Sequence, residues 1–388
     1  MSKNILQVVP NLNSGGVEGC VVTLNKYLVG KNYKSFVLTT EGKSAYRITQ
    51  DGGNIIKLNI ATKNIFIMFI NIFRIKNIII KNHIDLVDVV SRAPAWSVYF
   101  ACKMTKCPFV TTMHGNYSTG NFPMSFLKKF YNSSMIRGDY VVCVSDYIKN
   151  HALKKYSLFK KKYYDGKVVV VPRGVDTDMF SMDNLTQNRI KNVIDKLSLP
   201  DDRQIILLPG RFTDWKGQLY FLDVLKKVKN SNYLCLMLGK TENHKNYIEQ
   251  ISRKIRKYKL DNFVSIRDSI DDMPSVYSIS SLVASSSIRG EAFGLVVVEA
   301  QSMERMVVAT NIGGSSETII NNKTGFLVDV KDTTRFANII DNILSMSLDE
   351  KMKFGKNARK HIIERYTTSQ MCSNTIDIYK KAINGELI

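Results

Sequence analysis

The sequence predicts an α/β protein with two Rossmann-like domains, each a parallel sheet covered by helices. Three observations predict this class: the length of 388 residues, the alternation of short apolar runs with helical patterns, and a polar break near the middle of the chain. A chain of this length exceeds what one hydrophobic core usually serves. Strands that alternate with helices are typical of parallel sheets with helical crossovers.

The polar break sets the predicted domain boundaries. The alternating pattern stops over residues 183–203, which end in Pro200-Asp201-Asp202. We therefore predict a first Rossmann-like domain over 1–185, a linker over 186–203, a second over 204–365 and a last helical segment over 366–388. The predicted strands lie near 5–9, 36–40, 55–58, 85–90, 109–112, 140–144, 168–171, 204–208, 233–238, 263–266, 282–284, 306–309 and 326–328, and the predicted helices include 17–29, 65–81, 146–155 and 368–384.

The net charge of +21 is the strongest compositional signal, and it implies an anionic partner. A nucleic acid, an acidic membrane surface and a phosphorylated small molecule all fit, and charge alone does not choose among them. Part of the excess also fits compositional drift toward Lys, Asn and Ile. The hydrophobic share of 44% and the charged share of 23% are those of an ordinary globular protein.

Cysteine, histidine and apolar spacing argue against several other classes. The six cysteines show no C-x-x-C spacing, which favours free, mostly buried thiols in a reducing cytoplasm. The five histidines include no i,i+4 pair, which argues against a zinc protease or a structural zinc module. The first residues lack the pattern of a signal peptide. The apolar run 65–80 is interrupted by Asn71, Arg74, Lys76 and Asn77, so we expect no transmembrane span.

A glycine pair lies between the first predicted strand and the first predicted helix. Gly15 and Gly16 allow backbone N–H groups to approach an anion at the positive end of the helix dipole. Their spacing matches neither G-x-G-x-x-G nor a Walker loop. An ordinary tight turn fits this spacing equally well.

Two cations follow the first strand of the second domain. Arg211 and Lys216 come directly after the strand near 204–208, where α/β sheets bind ligands in the crevice at the carboxyl ends of strands. Arg grips a diphosphate through two parallel hydrogen bonds, and Lys adds a mobile point charge. The alternative is a pair of solvated cations on a loop.

The segment Glu291-Ala-Phe-Gly-Leu-Val-Val-Val-Glu299 is the most informative motif. Gly294 is predicted to join a loop to a helix over 295–303, whose N-terminus favours phosphate. Glu291 precedes this helix and Glu299 lies just over one turn inside it. A carboxylate accepts two hydrogen bonds from a vicinal diol, which suits a ribose or a hexose. The alternative is two ordinary helix charges.

One histidine, His114, follows a predicted buried strand and precedes a glycine. This position predicts a ring at the carboxyl edge of the first sheet, facing a ligand crevice. A structural histidine is the alternative.

Together these segments resemble the retaining glycosyltransferases of family 4, whose GT-B architecture places two Rossmann-like domains on either side of a cleft. The resemblance covers most of the chain, and its order is as informative as its parts. In chain order the similar segments are Gly15-Gly16-Val17-Glu18, Thr112-Met113-His114-Gly115, Val142-Cys143-Val144-Ser145, Val171-Pro172-Arg173-Gly174-Val175-Asp176 with Phe180, Gly210-Arg211 with Lys216-Gly217, the 291–299 block, Gly313-Gly314-Ser315-Ser316-Glu317 and Thr324-Gly325-Phe326-Leu327-Val328.

The resemblance implies a role for each motif. Arg211 and Lys216 would bind the donor diphosphate, Glu291 the hydroxyls of the transferred sugar and Glu299 the ribose. His114 would lie beside the reacting sugar, and the last helix would cross back to the first domain. The implied donor-binding set is Gly15, Gly16, Arg211, Lys216, Glu291, Phe293, Gly294, Leu295 and Glu299, and the implied catalytic set is His114, Glu291, Arg211 and Lys216.

The implied reaction is retaining transfer of a hexose-type sugar from a UDP- or GDP-linked donor to a glycan or lipid-linked acceptor, in cell-envelope polysaccharide or lipopolysaccharide synthesis. No cofactor and no essential metal are expected, and we assign Asp176-Thr177-Asp178 to a turn after a strand instead of a metal-binding D-x-D. Two segments depart from the family pattern. Residues 302–307 lack the usual Gly and Pro, and Asp88 replaces a common histidine.

We expect a cytoplasmic protein that docks peripherally on an anionic membrane surface. Two stretches combine cations with aromatic residues: Lys128-Lys129-Phe130-Tyr131, and 154–167 with Tyr156, Phe159, Tyr163 and Tyr164. The helix near 65–80 is expected to be mainly core because it lies between two strands, with membrane insertion as the alternative. The rival classes are a nucleic-acid-binding protein, a GT-B epimerase or phosphorylase, and an inactive sugar-nucleotide-binding relative. No nucleic-acid-binding signature supports the first.

Overall fold

The computed structural model describes residues 2–13, 15–62, 64–117, 124–242 and 244–386. Two compact units share these residues. The first contains the chain up to Arg173 together with the segment from Thr368 onward, and the second contains Gly174–Thr367. Each unit has one parallel sheet with helices around it. The predicted α/β class with two Rossmann-like sheets is confirmed.

The sheet of the first unit has seven parallel strands in the order β3-β2-β1-β4-β5-β6-β7. The central strands β4, β5 and β6 are buried along their whole length, because helices cover both faces of a parallel sheet. The strand bounds are β1 Asn4–Val8, β2 Lys34–Thr39, β3 Asn54–Lys57, β4 Leu86–Val89, β5 Phe109–Met113, β6 Tyr140–Cys143 and β7 Val168–Val170.

Seven helices follow these strands, and an eighth comes from the other end of the chain. Their bounds are α1 Gly16–Gly30, α2 Ala45–Gln50, α3 Ile65–Lys81, α4 Arg92–Thr105, α5 Met124–Asn132, α6 Asp146–Lys155, α7 Ser157–Tyr164 and α15 Thr368–Asn384. The predicted return of the last helix to the first domain is confirmed. Ile376 and Tyr379 of α15 pack into the same core as Ile5 and Leu24.

The expectation that the helix near 65–80 is mainly core is wrong. Asn71, Ile75 and Ile79 are the buried side chains of α3, and they form one narrow stripe at a spacing of four residues. The opposite side is apolar but exposed, and Phe66 keeps 77% of its surface in contact with solvent. A position between two strands predicts that a helix touches the sheet, but not how wide the contact is. In the described part of the chain, no helix is long and apolar enough to cross a bilayer.

The basic aromatic stretch 154–167 divides between core and surface. Tyr156 and Phe159 are buried, whereas Tyr163 and Tyr164 are exposed. The cysteines are free thiols as expected, and all except the half-buried Cys20 are buried.

The second unit has a sheet of six parallel strands in the order β10-β9-β8-β11-β12-β13. Its strands are β8 Gln204–Pro209, β9 Tyr233–Leu238, β10 Val264–Arg267, β11 Ser280–Ser285, β12 Met306–Thr310 and β13 Phe326–Val328. Its helices are α8 Gln187–Leu197, α9 Gln218–Leu225, α10 Lys245–Tyr258, α11 Met273–Ser278, α12 Leu295–Ser302, α13 Thr333–Ser345 and α14 Leu348–Arg365. The stretch interpreted as a linker thus contains α8.

The strand orders locate one ligand crevice in each sheet. In the first sheet β1 lies between β2 and β4, and in the second sheet β8 lies between β9 and β11. At these points successive crossovers run to opposite sides, which opens a crevice at the carboxyl ends of the strands. The loops that follow β1, β4, β8 and β11 are therefore the places to search for a site.

Candidate functional site

The loop after β8 carries the two predicted cations on either side of an aromatic ring. The Nζ atom of Lys216 lies 4.8 Å from the centre of the Trp215 ring, and the guanidinium carbon of Arg211 lies 5.8 Å from it. These contacts are within the range of cation–π attraction. Arg211 is exposed, whereas Lys216 keeps only 14% of its side chain in solvent.

The turn at Gly217 fixes the position of Lys216. Gly217 has a φ of 74°, and a Cβ atom there would lie 2.0 Å from the backbone oxygen of Ser286. Only glycine combines this left-handed backbone with so close an approach. The Ser286 hydroxyl also donates to the backbone oxygen of Lys216 at 3.1 Å. The loops after β8 and β11 are therefore tied together at the crevice.

The structure brings Lys216 and Glu291 together as an ion pair. The Nζ atom of Lys216 lies 2.8 Å from Oε1 of Glu291, and 12% of the Glu291 side chain is exposed. The Ser287 hydroxyl, on the loop after β11, donates to the same Oε1 atom at 2.5 Å. Removal of either charge from such a sheltered pair leaves the other uncompensated.

Glu299 lies one turn into α12 and has a different environment. The Tyr277 hydroxyl donates to its Oε2 atom at 2.8 Å. Loss of hydration raises the Glu299 pKa to about 7, against the opposing effects of the Tyr277 hydrogen bond and the Lys216 charge. Tyr277 is fully buried, whereas Glu299 keeps part of its surface exposed.

The N-terminus of α12 lies beside these groups. Gly294 precedes the helix with a φ of 94°, and a Cβ atom there would lie 2.5 Å from Cβ of Ser315. Gly294, at the N-cap position, has no side chain to cap this helix. The backbone N–H group of Val297 already donates to the backbone oxygen of Gly294 at 3.0 Å, so the N–H groups of Leu295 and Val296 are the donors offered to an anion. The Phe293 side chain is buried, so only its backbone is available to a ligand.

The glycine pair at α1 has weaker geometry for an anion. Gly15 has an extended backbone with a φ of 175°, which any residue adopts. A Cβ atom on Gly15 would meet the Glu18 carboxylate at 2.4 Å, so this carboxylate lies at the N-terminus of α1, which Gly16 begins. A negative charge at this position already satisfies the positive end of the helix.

His114 lies at the carboxyl edge of the first sheet, as predicted, beside a cation. The Nη2 atom of Arg173 lies 2.8 Å from Nδ1 of His114. Loss of hydration, together with the Arg173 charge, holds the His114 pKa well below its ordinary value. Since Arg only donates, the neutral ring accepts at Nδ1 and carries its proton on Nε2. His114 thus has a hydrogen-bond donor left for a ligand.

A small cavity of about 40 Å³ lies beneath His114 in the first unit. Gln7 and Asp88 line it, and neither polar atom of the buried Gln7 side chain has a hydrogen-bond partner among the described residues. This volume fits a water molecule and is too small for a sugar ring. We therefore interpret the cavity as a packing defect among the residues beneath His114 and not as a substrate site.

Asp88 is tied to the last helix. The Tyr379 hydroxyl of α15 donates to its Oδ2 atom at 2.6 Å, and the Thr112 hydroxyl donates to Oδ1 at 3.1 Å. Burial raises the Asp88 pKa to about 6, and both hydrogen bonds oppose this change. The pair joins α15 to the strands that carry His114.

Asp176 supports a turn, in agreement with the interpretation of the D-x-D sequence. Its Oδ1 atom accepts from the backbone N–H groups of Asp178 at 3.1 Å and Met179 at 2.9 Å. Within the described ranges, no three His, Cys, Asp or Glu side chains are grouped as metal ligands.

Several contacts of the candidate site were not singled out from the sequence. Arg173 lies in one of the similar segments, but its pairing with His114 depends on two strands that are distant in the chain. Ser287 had a weak signal, since it precedes the Glu291 motif by four residues. Tyr277 and Tyr379 had none, because a buried tyrosine on a helix is usual in any core.

Two family models match the chain, one in each half. The model of family 4 glycosyltransferases matches residues 14–179, and the model of group 1 glycosyl transferases matches residues 189–361. A solved glycosyltransferase of Rickettsia africae is 38% identical, with a TM-score of 0.88 over 98% of this chain and 99% of that one.

Other relatives are more distant. The Anabaena protein Alr3699/HepE, solved with UDP and glucose, is 18% identical with a TM-score of 0.80 over 97% of this chain and 99% of that one, which shows a shared fold. The CapM glycosyltransferase of capsular polysaccharide biosynthesis in Staphylococcus aureus is 27% identical over 235 residues, or 58% of this chain and 59% of CapM. The chain spans little more than half the length of the curated relatives it matches.

Proposed function

This chain belongs to the group 1, family 4 glycosyltransferases, and we propose that it moves a hexose-type sugar from a nucleoside-diphosphate donor with retention of configuration. The donor binds in the second unit, at the crevice between β8 and β11. The acceptor is a glycan or a lipid-linked sugar used in cell-envelope polysaccharide or lipopolysaccharide synthesis. Family membership disfavours the rival nucleic-acid-binding reading.

The observation that carries the proposal is the grouping of Lys216, Glu291 and Glu299 at one crevice. Lys216 contacts Glu291 directly, and its charge also acts on Glu299. A cation suits the diphosphate of a nucleotide sugar, and carboxylates suit its hydroxyl groups. Such a donor presents both kinds of group within one molecule.

The task of the site is to stabilise the negative charge that develops on the departing diphosphate. Arg211, Lys216 and the backbone N–H groups of Phe293, Gly294 and Leu295 supply fixed positive charge and dipoles for this purpose. When the diphosphate engages Lys216, the Glu291 carboxylate is free to accept hydrogen bonds from the transferred sugar. The Oε1 atom of Glu299 accepts from the ribose while Tyr277 holds Oε2. Gly15 and Gly16 play a smaller part, because Glu18 already lies there.

His114 acts as a neutral hydrogen-bond donor to the reacting sugar. Its proton lies on Nε2 because Arg173 donates to Nδ1, so the ring does not compete for the acceptor proton. The donor phosphate oxygen takes that proton on the face from which the diphosphate leaves. No protein nucleophile, metal ion or cofactor is used.

The donor and the acceptor are proposed by chemical class. A UDP-linked hexose is the first donor to test, because the Anabaena neighbour of the same fold was solved with UDP and glucose; a GDP-linked hexose is the second. A capsular polysaccharide relative supports an envelope acceptor. Because the proposed acceptor is a cell-envelope glycan or lipid, we propose that the protein acts in the cytoplasm, at the inner face of the cytoplasmic membrane.

A thermal-shift panel of nucleoside diphosphates and their sugars tests donor binding. A ligand at 100 times its Kd adds about 2.7 kcal/mol to the free energy of unfolding, which is easily detected. One base is expected to stabilise the protein clearly more than the others. Arg211→Ala and Lys216→Ala are each expected to abolish that shift. A panel in which no nucleotide stabilises the wild-type protein would contradict the proposal.

Glu291→Gln separates sugar recognition from diphosphate binding. The variant is expected to bind the free nucleoside diphosphate nearly as well as wild type, while sugar transfer falls by about 100-fold or more, the range of a lost transition-state contact. Glu249→Gln, an exposed change on α10, is the matched control. Wild-type transfer by Glu291→Gln would remove the donor-sugar role of Glu291.

A further inference from the structure

The first unit exposes large apolar side chains on three neighbouring helices, and ten of them are here called the apolar surface. On one protein surface, scattered single apolar residues are normal, whereas a contiguous patch indicates a partner. The side chains of the apolar surface are Ile65, Phe66, Phe69, Ile70 and Phe73 of α3, Phe100 and Met104 of α4, and Phe126, Leu127 and Phe130 of α5.

Contacts within the first unit join the three helices into one surface. The Ser97 hydroxyl of α4 donates to the backbone oxygen of Met68 in α3 at 2.8 Å. The Trp96 ring of α4 stacks on Phe130 of α5 with 4.8 Å between centroids, and its N–H group donates to the backbone oxygen of Tyr131 at 3.1 Å. Trp96 is thus the anchor between α4 and α5.

All the charged side chains on these three helices are positive. The segments Ile65–Lys81, Arg92–Thr105 and Met124–Asn132 contain no Asp or Glu. Their cations are Arg74, Lys76, Lys81, Arg92, Lys103, Lys128 and Lys129. Exposed aromatic and aliphatic side chains that are bordered by lysine and arginine suit the surface of an anionic lipid bilayer. The apolar groups contact the acyl chains, and the cations contact the headgroups. A second copy of the chain would present the same positive charges, so two copies would repel each other at this surface.

We propose that the apolar surface docks the protein on an anionic lipid bilayer. Phenylalanine and isoleucine side chains of α3 and α5 enter the headgroup region, and Lys128 and Lys129 bind lipid phosphates. The exposed phenylalanines belong mainly to the first turns of α3 and to α5, near the carboxyl ends of the strands, where His114 also lies. A lipid-linked acceptor would reach this edge directly. The docking itself does not depend on the proposed sugar transfer.

Vesicle cosedimentation tests the proposal with the full chain and no donor. Vesicles of phosphatidylcholine with 30% phosphatidylglycerol are compared with pure phosphatidylcholine, at low and high salt. Retention on the anionic vesicles is expected, with a loss at high salt because headgroup contacts are screened. Failure of wild type to bind anionic vesicles at low salt, or equal binding to both vesicle types, would overturn the proposal.

Two sets of substitutions separate the contribution of the apolar side chains to vesicle binding from that of the charged side chains. Phe66→Ser with Phe69→Ser and Phe73→Ser is expected to weaken binding more than 100-fold, and Lys128→Ala with Lys129→Ala about 20- to 30-fold. These side chains are exposed, so the variants are expected to melt at the wild-type temperature. The matched control removes exposed apolar groups elsewhere, as Tyr46→Ser with Leu348→Ser, and binds as wild type.

The two tryptophans report which face meets the bilayer. Trp96 anchors the apolar surface and Trp215 belongs to the second unit, so each is followed in a variant in which the other is phenylalanine. Lipids with brominated acyl chains are expected to quench Trp96 fluorescence and leave Trp215 unchanged. Quenching of Trp215 alone, or a phenylalanine-dependent dimer in solution, would assign the surface to another role and refute the docking.

Discussion

Each unit contains a carboxylate held by a buried tyrosine, but the two pairs face different surroundings. Tyr379 donates to Asp88 in the first unit at 2.6 Å, and Tyr277 donates to Glu299 in the second at 2.8 Å. Burial raises the pKa of both carboxyl groups, to about 6 for Asp88 and about 7 for Glu299. Asp88 is 1% exposed, whereas Glu299 keeps part of its surface exposed and lies within the influence of the Lys216 charge.

The difference separates a structural carboxylate from one that is available to a ligand. Both oxygens of Asp88 accept hydrogen bonds from the protein, one from the last helix and one from β5. Glu299 has Oε2 held by Tyr277, whereas Oε1 has no hydrogen-bond partner among the described residues and the Lys216 charge acts on the carboxylate. The same residue chemistry therefore fastens α15 in the first unit, and under the proposed function it would bind the ribose of the donor in the second. The following substitutions test this division.

The largest expected difference between the pairs is in donor binding. Glu299→Gln should weaken binding of the nucleoside diphosphate by about 10- to 100-fold, because a charge-assisted hydrogen bond contributes about 1.5–3 kcal/mol. Asp88→Asn should change it less than twofold. Calorimetric titration measures both, and it should also show that wild type discriminates against the 2′-deoxy nucleotide whereas Glu299→Gln does not. Equal effects of the two substitutions would erase the distinction.

Removal of each phenolic hydroxyl isolates the hydrogen bond. Tyr379→Phe and Tyr277→Phe keep the ring and leave a carboxylate without its donor, so each should lower the free energy of unfolding by about 1–3 kcal/mol. Denaturant unfolding at pH 8 measures this loss. Tyr277→Phe should also weaken nucleotide binding, whereas Tyr379→Phe should not. An unchanged unfolding midpoint for Tyr379→Phe would show that this hydroxyl does not fasten α15.

The pH dependence of stability should differ between wild type and Asp88→Asn. The Asp88 pKa is about 6 in the folded protein and 3.8 ordinarily, so folding favours the protonated form. The stability that protonation of Asp88 adds is therefore fully present below about pH 3.8, falls as pH rises, and is lost above about pH 6. The difference between wild type and Asp88→Asn should change across this window and remain constant above it. A flat difference would contradict the raised pKa.

The smallest expected effect comes from the departure at residues 302–307. Glu304 has a φ of 57°, a left-handed backbone that favours glycine. The chain thus keeps the turn without the glycine, at a cost of about 1 kcal/mol. Glu304→Gly should raise the free energy of unfolding by no more than that amount, since glycine also gains freedom in the unfolded chain. A marked loss of stability would mean that the Glu304 side chain stabilises the turn.

The sequence predicted the elements well because each has a local cause. Strand 233–238 is a continuous apolar run, strand 109–113 is rich in β-branched residues, and the last helix was predicted with its observed bounds, Thr368–Asn384. The narrow buried stripe of α3 was not predicted, because the width of a contact depends on neighbours distant in the chain. The residues of the candidate site differ in the same respect, since some have a local signal in the sequence and others do not. Gly217 and the 291–299 block had local signals, whereas Tyr277 and the Arg173–His114 pair required the folded sheet.

The ion pair of Lys216 with Glu291 complicates any single substitution, and a double variant resolves it. In Lys216→Met the sheltered Glu291 lacks its cation, so a loss of binding has two causes: a missing phosphate contact and a disturbed loop. Lys216→Met combined with Glu291→Gln removes both charges, so that neither sheltered charge is left without a partner. Lys257→Met, an exposed change on α10, controls for the loss of one positive charge.

Calorimetric titration of this set with UDP-glucose, and with the GDP-linked hexose in parallel, tests the central claim most directly. We predict that wild type and Lys257→Met bind one of the two donors equally well. Lys216→Met and the double variant should bind it at least 30-fold more weakly, although the double variant melts near the wild-type temperature. Wild-type affinity in the double variant, or no donor binding by wild type, would contradict the assignment of this crevice as the donor site.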